Sequence, residues 1–410
     1  MARTELVPLR RLADGTVRQV NPFTATEVWT VPGRAHRPLV PARAPAKVLA
    51  PADQGRHCAF CSQRYLDTTP EKARVVRRDD GSWHTLTGLL AEELQDTVAQ
   101  FRLIPNLFEI VSLDYWRINH GYRPPPARVE HQRAYLATPE GRRHVERLLA
   151  QKAAASGGPV DRGAGAVDGL FGGFHDVLVA RRHFIDGAHT DDELAGSGSL
   201  DREDHRHYVA VAVEAARSLY AADPRVANVA VFQNWGAPAG ASFDHLHKQL
   251  VALDTRGRRR EQELALLAQD PDAFRRWGPD LASCHDLLIA GNAHAFAFAG
   301  VGHRFPSIEV WSRNETALPW ELSAEELASW SDLLREMHRA TGALVPSNEE
   351  WHHRDPAVPG RVPLRAVLKW RINTPAGFEG GTGLYVNTLD PWAVRDRVRA
   401  GLPERLVARS

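Results

Sequence analysis

Two short stretches of this sequence concentrate side chains that can do chemistry. One is Asn234-Trp-Gly-Ala-Pro-Ala-Gly-Ala-Ser-Phe-Asp-His-Leu-His-Lys-Gln249. Side chains alternate across an extended strand, so His245, His247 and Gln249 share one face and Leu246, Lys248 and Leu250 the other. Gly236 and Gly240 let backbone N–H groups come close to a bound anion, and Ser242 adds a hydroxyl donor. Two imidazoles and an amide beside a phosphate cradle describe a phosphoryl-transfer site. The same pattern also fits a polar strand face next to a loop. The second stretch is Cys58-Ala-Phe-Cys61, which holds two of the three cysteines. A Cys-x-x-Cys reads as a metal or redox pair, and no thioredoxin-like sequence surrounds this one. The third, Cys284, reads as an ordinary small buried residue.

These groups need elements to position them. Residues 17–31 predict two strands joined by a turn at Asn21-Pro22. Residues 126–154 have helical spacing, and the Gly/Ala-rich stretch 155–173 reads as a flexible loop. A strand at 175–179, a long helix at 202–222 and a strand at 226–233 follow. The Gly/Pro loop 234–240 then leads into a strand at about 243–253. After it come a charged helical stretch at 260–276 and strand-like runs at 286–290, 294–300 and 307–312. Ser323-x-x-Glu326 is a capping box that opens an amphipathic helix reaching about residue 342. Strands near 365–372 and 383–387 and a short helix from Pro391 end the pattern. Each half thus holds several strands and one main amphipathic helix. The expectation is an α+β fold with a pseudo-repeat, split into residues 1–255 and 256–410.

Composition narrows the function classes. The 410 residues include 51 basic and 50 acidic side chains, a net charge of +1, which gives no electrostatic case for nucleic acid or a membrane surface. The run Arg256-Gly-Arg-Arg-Arg260 reads as a solvated loop or helix start. No stretch reaches the roughly 18–20 apolar residues that span a bilayer. The first residues lack the apolar core of a signal peptide, and three cysteines make no disulfide framework. A cytoplasmic enzyme is expected.

Residues 234–249 resemble the active-site motif of the galactose-1-phosphate uridylyltransferase branch of the histidine-triad superfamily. That motif runs Asn-x-Gly, Gly-x-Ser, His-Pro-His-x-Gln. This chain keeps Asn234, Gly236, Gly240, Ser242, His245, His247 and Gln249 at family spacing, and departs at Leu246, where the family usually has proline. Other blocks follow in family order. The segment 21–37, with Arg34 and Arg37, resembles the opening strand pair and its basic nucleotide-binding part. Cys58 and Cys61 fall where the family has its zinc cysteines. Pro105-Asn106-Leu-Phe108 resembles the segment whose asparagine contacts the nucleoside. His175-Asp-Val-Leu-Val-Ala-Arg-Arg-His183 resembles the strand ending in a zinc-ligand histidine, one residue shorter than usual. Ala376-Gly-Phe-Glu379 through Asn387 resembles the Gly-Phe-Glu-x-Gly-Thr-Gly block.

The resemblance implies two histidine-triad-like halves, each an antiparallel sheet with a packed helix, in a chain that pairs as a homodimer. It implies transfer of a nucleoside monophosphate between a nucleotide sugar and a sugar 1-phosphate, with His247 as the covalent carrier. Glutamine at 249 cannot titrate, unlike the third histidine of hydrolases in the superfamily, and favours transfer over hydrolysis. Arg34, Arg37 and the 236–242 loop would offset phosphate charge, Asn106 would meet the nucleoside, and Glu379, Asn373 and Arg371 the sugar side. One structural Zn2+ is implied, on Cys58, Cys61, His183 and His245, with His57 and His175 as alternatives to His183. The positions matching the family's second metal site are Pro363 and Arg365, which cannot ligate, so that site is expected to be absent. The nearby His352-His353 reads as a solvent-exposed loop pair. Two rivals remain: a phosphorylase using the same His247 chemistry, and a nucleotide-binding protein without catalysis.

Overall fold

The computed structural model describes residues 7–33, 38–40 and 45–407. The chain opens with β1 (Leu9–Arg11), β2 (Val17–Val20) and β3 (Glu27–Thr30). Asn21 shapes the turn between the last two, its Oδ1 accepting the N–H groups of Phe23 and Thr24. β4 (Ala73–Arg77), β5 (Trp83–Leu86) and β6 (Phe101–Pro105) follow. A helical layer comes next: α1 (Leu113–His120), α2 (Pro126–Ala137), α3 (Pro139–Ser156) and α4 (Ala164–Leu170). Then come β7 (His175–Ala180), α5 (Arg202–Ala222), β8 (Asn228–Trp235) and β9 (His247–Leu253).

The remainder begins with α6 (Arg258–Gln269) and two short turns, α7 (Ala273–Arg275) and α8 (Leu281–Cys284). β10 (Leu288–Gly291), β11 (Ala295–Ala299) and β12 (Ser307–Ser312) form a meander. α9 (Ala324–Thr341), β13 (Ser347–His352), β14 (Arg365–Trp370), α10 (Gly377–Thr382), β15 (Leu384–Val386) and α11 (Pro391–Ala400) complete the order.

The architecture is α+β, as expected. β4 to β14 form one antiparallel sheet of eleven strands, in the order β10-β11-β12-β14-β13-β8-β9-β7-β6-β4-β5. β13 and β8 meet antiparallel in the middle, with Asn348 opposite Asn234 and Glu350 opposite Phe232. β15 lies parallel to β3 in a separate four-stranded sheet.

One face of the large sheet is covered by α5 and α9, which also pack on each other. α5 starts at Asp201, whose side chain accepts the Asp204 N–H, and buries Tyr208, Val209, Ala212, Val213, Ala216 and Leu219 at helical spacing. α9 forms the expected capping box between Ser323 and Glu326 and buries Trp330, Leu333, Leu334 and Met337. Each large apolar side chain so buried contributes about 1.5–3 kcal/mol.

Three expectations need correction. The helical stretch 126–154 is two helices, broken at Thr138-Pro139 because proline drives the preceding residue out of the helical region. The 155–173 segment is not simply a loop: α4 docks Leu170 and Phe171 on Tyr135 and Leu148. Cys284, expected to be buried, is exposed.

Under the helices, the seam carries a buried ionic cluster. Lys248 from β9 binds Glu349 from β13, and Glu349 also accepts from His338 of α9 and the Trp351 indole. Lys248 donates in addition to Gln233, 3.2 Å away on β8. The Lys248 and Glu349 side chains are 0% and 1% exposed. A charge pair this deep stands only because its hydrogen bonds are met on several sides.

Candidate active site and metal centre

The face of the sheet opposite α5 and α9 carries His247 and Gln249 on β9. The His247 ring is buried, and its Nδ1 donates to the His245 carbonyl at 2.7 Å. Nε2 therefore keeps its lone pair. Burial lowers the imidazole pKa to about 4, so the ring is neutral. Phe60 lies over it, with centroids 5.1 Å apart.

Gln249 is held by residues from two neighbouring strands. The Ile110 N–H donates to His175 Nδ1 at 3.0 Å, which leaves the proton on Nε2. That N–H donates to Gln249 Oε1 at 3.0 Å, and Asn106 Nδ2 reaches the same oxygen at 3.4 Å. With its carbonyl engaged, the NH2 group is the end of the Gln249 amide left to donate. Asn106 is itself fixed, because its Oδ1 accepts the Phe108 N–H at 2.9 Å. Sequence reasoning treated His175 only as an alternative metal ligand. Its part beside Gln249 depends on the register that pairs β7 with β9, Val177 opposite Gln249.

The loop after β8 folds back on itself. Gly236 and Gly240 have φ of 78° and 85°, a region that glycine enters without strain, and the Ala241 N–H returns to the Gly236 carbonyl. Ser242 is exposed at its end. Asn234 Oδ1 accepts from Asn348 Nδ2 at 2.7 Å, while Asn348 Oδ1 accepts from Arg371 at 2.6 Å. This relay crosses from β8 to the strand end beyond β14. Asn348 was not foreseen, since β13 was not read as a strand.

Cys58, Cys61, His183 and His245 are all buried and converge, their ligand atoms within 4.8 Å of one another. The sulfurs are 3.8 Å apart, and the sulfur to Nδ1 distances run 3.3, 3.5, 3.7 and 3.9 Å. A tetrahedral ion with bonds of about 2.0–2.3 Å separates its ligands by about 3.3–3.8 Å, so the cluster fits a metal ion. His245 Nε2 donates to the Ala180 carbonyl at 2.7 Å, which turns Nδ1 toward the cysteines. The hydrogen bond from Cys58 holds the Cys61 thiol far below its ordinary range, the thiolate form a metal requires. His57 and His175 lie outside this set of four.

Arg34 and Arg37 lie outside the described residues. Glu379 accepts the Ala376 N–H at 2.8 Å, capping α10. Asn373 Nδ2 donates to the Val386 carbonyl at 3.0 Å, a tie between backbone segments. Both belong to the region around the small sheet rather than to β8 and β9. His352 and His353 are not a solvent-exposed loop pair: His352 ends β13 and His353 is 3% exposed. Arg365, at a position matching the family's second metal site, is fully buried, and pairs with Glu263 of α6 at 2.9 Å. The run Arg256 to Arg260 is a loop and helix start, as expected, but it also lines a cleft beside β8 and β13.

Among solved structures, an ADP-glucose phosphorylase from Arabidopsis thaliana, determined with ADP-glucose bound, is similar to this chain. The two share 20% identity over 94% of this chain and 98% of the other, with a TM-score of 0.60. A galt-like protein of the same plant is 19% identical over 85% and 93% of the two chains, with a TM-score of 0.56. A search of curated proteins finds no match. The likeness to both plant structures establishes that this chain shares their fold. With residues 12–408 matched, the chain belongs to the family described as Domain of unknown function (DUF4921).

Proposed function

We propose that this chain is a nucleotidyltransferase that moves a nucleoside monophosphate from a nucleotide sugar to a sugar 1-phosphate through a covalent intermediate on His247. The observation that carries this reading is the anchored imidazole: Nδ1–H on the His245 carbonyl, a free lone pair on Nε2, and the Gln249 amide presented beside it. In the first step Nε2 attacks the α-phosphorus. A P–N bond forms, the bond from phosphorus to the bridging oxygen breaks, and sugar 1-phosphate leaves with the electron pair. In the second step a phosphate oxygen of the acceptor attacks the same phosphorus and Nε2 leaves.

The Gln249 NH2 holds a non-bridging oxygen in both steps. Ser242 and the Gly236–Gly240 turn add donors, Asn106 faces the nucleoside, and Arg371 serves the sugar side. Arg34 and Arg37 offset phosphate charge. Cys58, Cys61, His183 and His245 hold zinc, whose contribution is to fix the strand bearing His247. The working unit is a homodimer.

A second reading takes inorganic phosphate as the acceptor, which would make the chain a phosphorylase. It is favoured by the likeness to ADP-glucose phosphorylase over nearly the whole chain.

The test is intact-protein mass spectrometry after brief incubation with UDP-, ADP-, GDP- and dTDP-glucose, wild type beside His247→Ala. A mass gain of one nucleoside monophosphate, absent from the variant, supports the intermediate and names the base. Chasing the adduct with phosphate or with glucose 1-phosphate separates the two acceptors. Nucleotide binding with no adduct from any donor would instead favour a binding protein without catalysis.

A further inference from the structure

A cleft of about 640 Å³ opens beside the strand bearing His247. Its floor includes Phe232 and Asn234 of β8 and Asn348 and Glu350 of β13. Phe232 stands opposite Gln249 in the ladder, so the cleft begins one strand spacing, about 4.8 Å, from the Gln249 backbone, on the side of β9 away from His175. With Asn106 on the nucleoside, as proposed above, this opposite side is the one left for the leaving and accepting groups.

The lining is strongly basic. Arg256, Arg258, Arg259, Arg260 and Arg371 face two carboxylates, Glu263 and Glu350. Those carboxylates are already engaged. Arg259 lies 3.2 Å from Glu263 and 3.8 Å from Glu350, Arg365 binds Glu263 at 2.9 Å, and Lys369 binds Glu350 at 2.7 Å. Arg256 is paired with Asp355 at 2.6 Å.

The other three guanidinium groups have no carboxylate partner among the described residues. Arg260 donates to neutral oxygens, the Tyr220 hydroxyl at 3.2 Å and the His353 carbonyl at 3.3 Å. Arg371 donates to Asn348 and lies 4.4 Å from the Phe305 ring centroid. Arg258 is exposed at the cleft edge. In a chain of net charge +1 this is a local concentration, and a concave low-dielectric wall focuses its field.

A neutral hexose asks its site for carboxylates and amides to meet its hydroxyls. Here the carboxylates are committed to cations, and the uncommitted groups are guanidiniums, whose planar forks match carboxylate and phosphate. We infer that the sugar-side portion of the substrate carries a second anionic group, a carboxylate or a phosphate, bound by Arg258, Arg260 and Arg371 beyond the phosphorus that His247 attacks. This rests on the nucleotidyl-transfer reading above.

The experiment is isothermal titration calorimetry at fixed ionic strength with glucose 1-phosphate, glucose 1,6-bisphosphate and glucuronic acid 1-phosphate. One of the two doubly anionic sugars is expected to bind at least ~10-fold tighter than glucose 1-phosphate, and which one distinguishes phosphate from carboxylate. In Arg258→Gln/Arg260→Gln that preference is expected to fall to about 3-fold or less. Should the double variant fail to fold, Arg258→Gln alone, at an exposed position, must still reduce it. Equal affinities for the three sugars, or a preference that survives the substitutions, overturn the inference. The adduct assay keeps the two readings apart. An adduct on His247 with equal sugar affinities sinks only the second anionic group, whereas an arginine-dependent preference with no adduct from any donor sinks only the nucleotidyl transfer.

Discussion

Gln249 matters because of how it is held. A free glutamine amide presents oxygen and nitrogen with similar ease, and the wrong end would repel a phosphate oxygen. His175 and Asn106 remove that ambiguity by occupying Oε1. Replacing Gln249 by alanine is expected to slow adduct formation about 10²–10³-fold, the usual loss for one donor aimed at a transition-state oxygen. His175→Ala is expected to cost about 10-fold, and the double variant no more than Gln249→Ala alone, since His175 acts through the amide. Quenched-flow mass spectrometry reads all three rates, and multiplicative losses would mean that His175 works independently. At this scale the sequence was informative wherever spacing alone specifies a face, as for His247 and Gln249, whereas His245 lies just before β9. The sequence could not supply partners from other strands, so Asn348 went unassigned and His175 was read only as an alternative metal ligand. Nor could it show that Glu379 and Asn373 are engaged in local backbone contacts.

Strands and helices deliver these residues, and two contacts between elements are open to direct test. The Cys58–Cys61 turn, the end of β7 and the entry to β9 converge on the metal cluster, and the turn also lays Phe60 on His247. In Cys61→Ser, bound zinc measured by plasma mass spectrometry is expected to fall from about one per chain to near zero. The melting temperature should drop and adduct formation weaken with it. Wild-type protein purified without metal would contradict the assignment.

The second contact is α6 on β14. Burial alone would raise the Glu263 pKa, but Arg365 and Arg259 outweigh it and hold the carboxyl at about 2. A depressed carboxyl contributes stability that is present above the unfolded pKa of about 4.3 and is lost as pH falls toward 2. Glu263→Gln, which leaves Arg365 buried without its counter-ion, is expected to cost about 3–5 kcal/mol at pH 7. The gap between wild type and variant in denaturant melts should narrow between pH 4 and pH 2, and a constant gap would refute the linkage. Most elements were legible from periodicity and caps, α5 and α9 most clearly. β13 was not, because Ser-Asn-Glu-Glu-Trp-His carries polar side chains toward both faces. Glu349 enters the ionic cluster under the helices, while Asn348 and Glu350 line the cleft. A strand that is polar on both sides has no hydrophobic alternation to read.

On the scale of the molecule, the sheet runs unbroken through the seam between β8 and β13, with Lys248 and Glu349 clamped beneath it. Urea unfolding is therefore expected to follow one transition by near-ultraviolet circular dichroism and by intrinsic fluorescence alike. Two separated transitions would mean that the halves fold as independent units. Lys248→Met should move the midpoint downward by the equivalent of about 3–5 kcal/mol, because it leaves Glu349 charged and buried. The division into two halves was suggested by the sequence pattern, but not the edge-to-edge joining, which depends on β13. The small sheet adds a constraint of another kind. β3 stands near the start of the sequence and its parallel neighbour β15 near the end. During synthesis on a ribosome β1, β2 and β3 emerge before the other described elements, yet the edge of β3 stays open until β15 has followed. A sheet begun early is thus completed late, and a nascent chain halted before residue 384 leaves that edge free to pair with a neighbour.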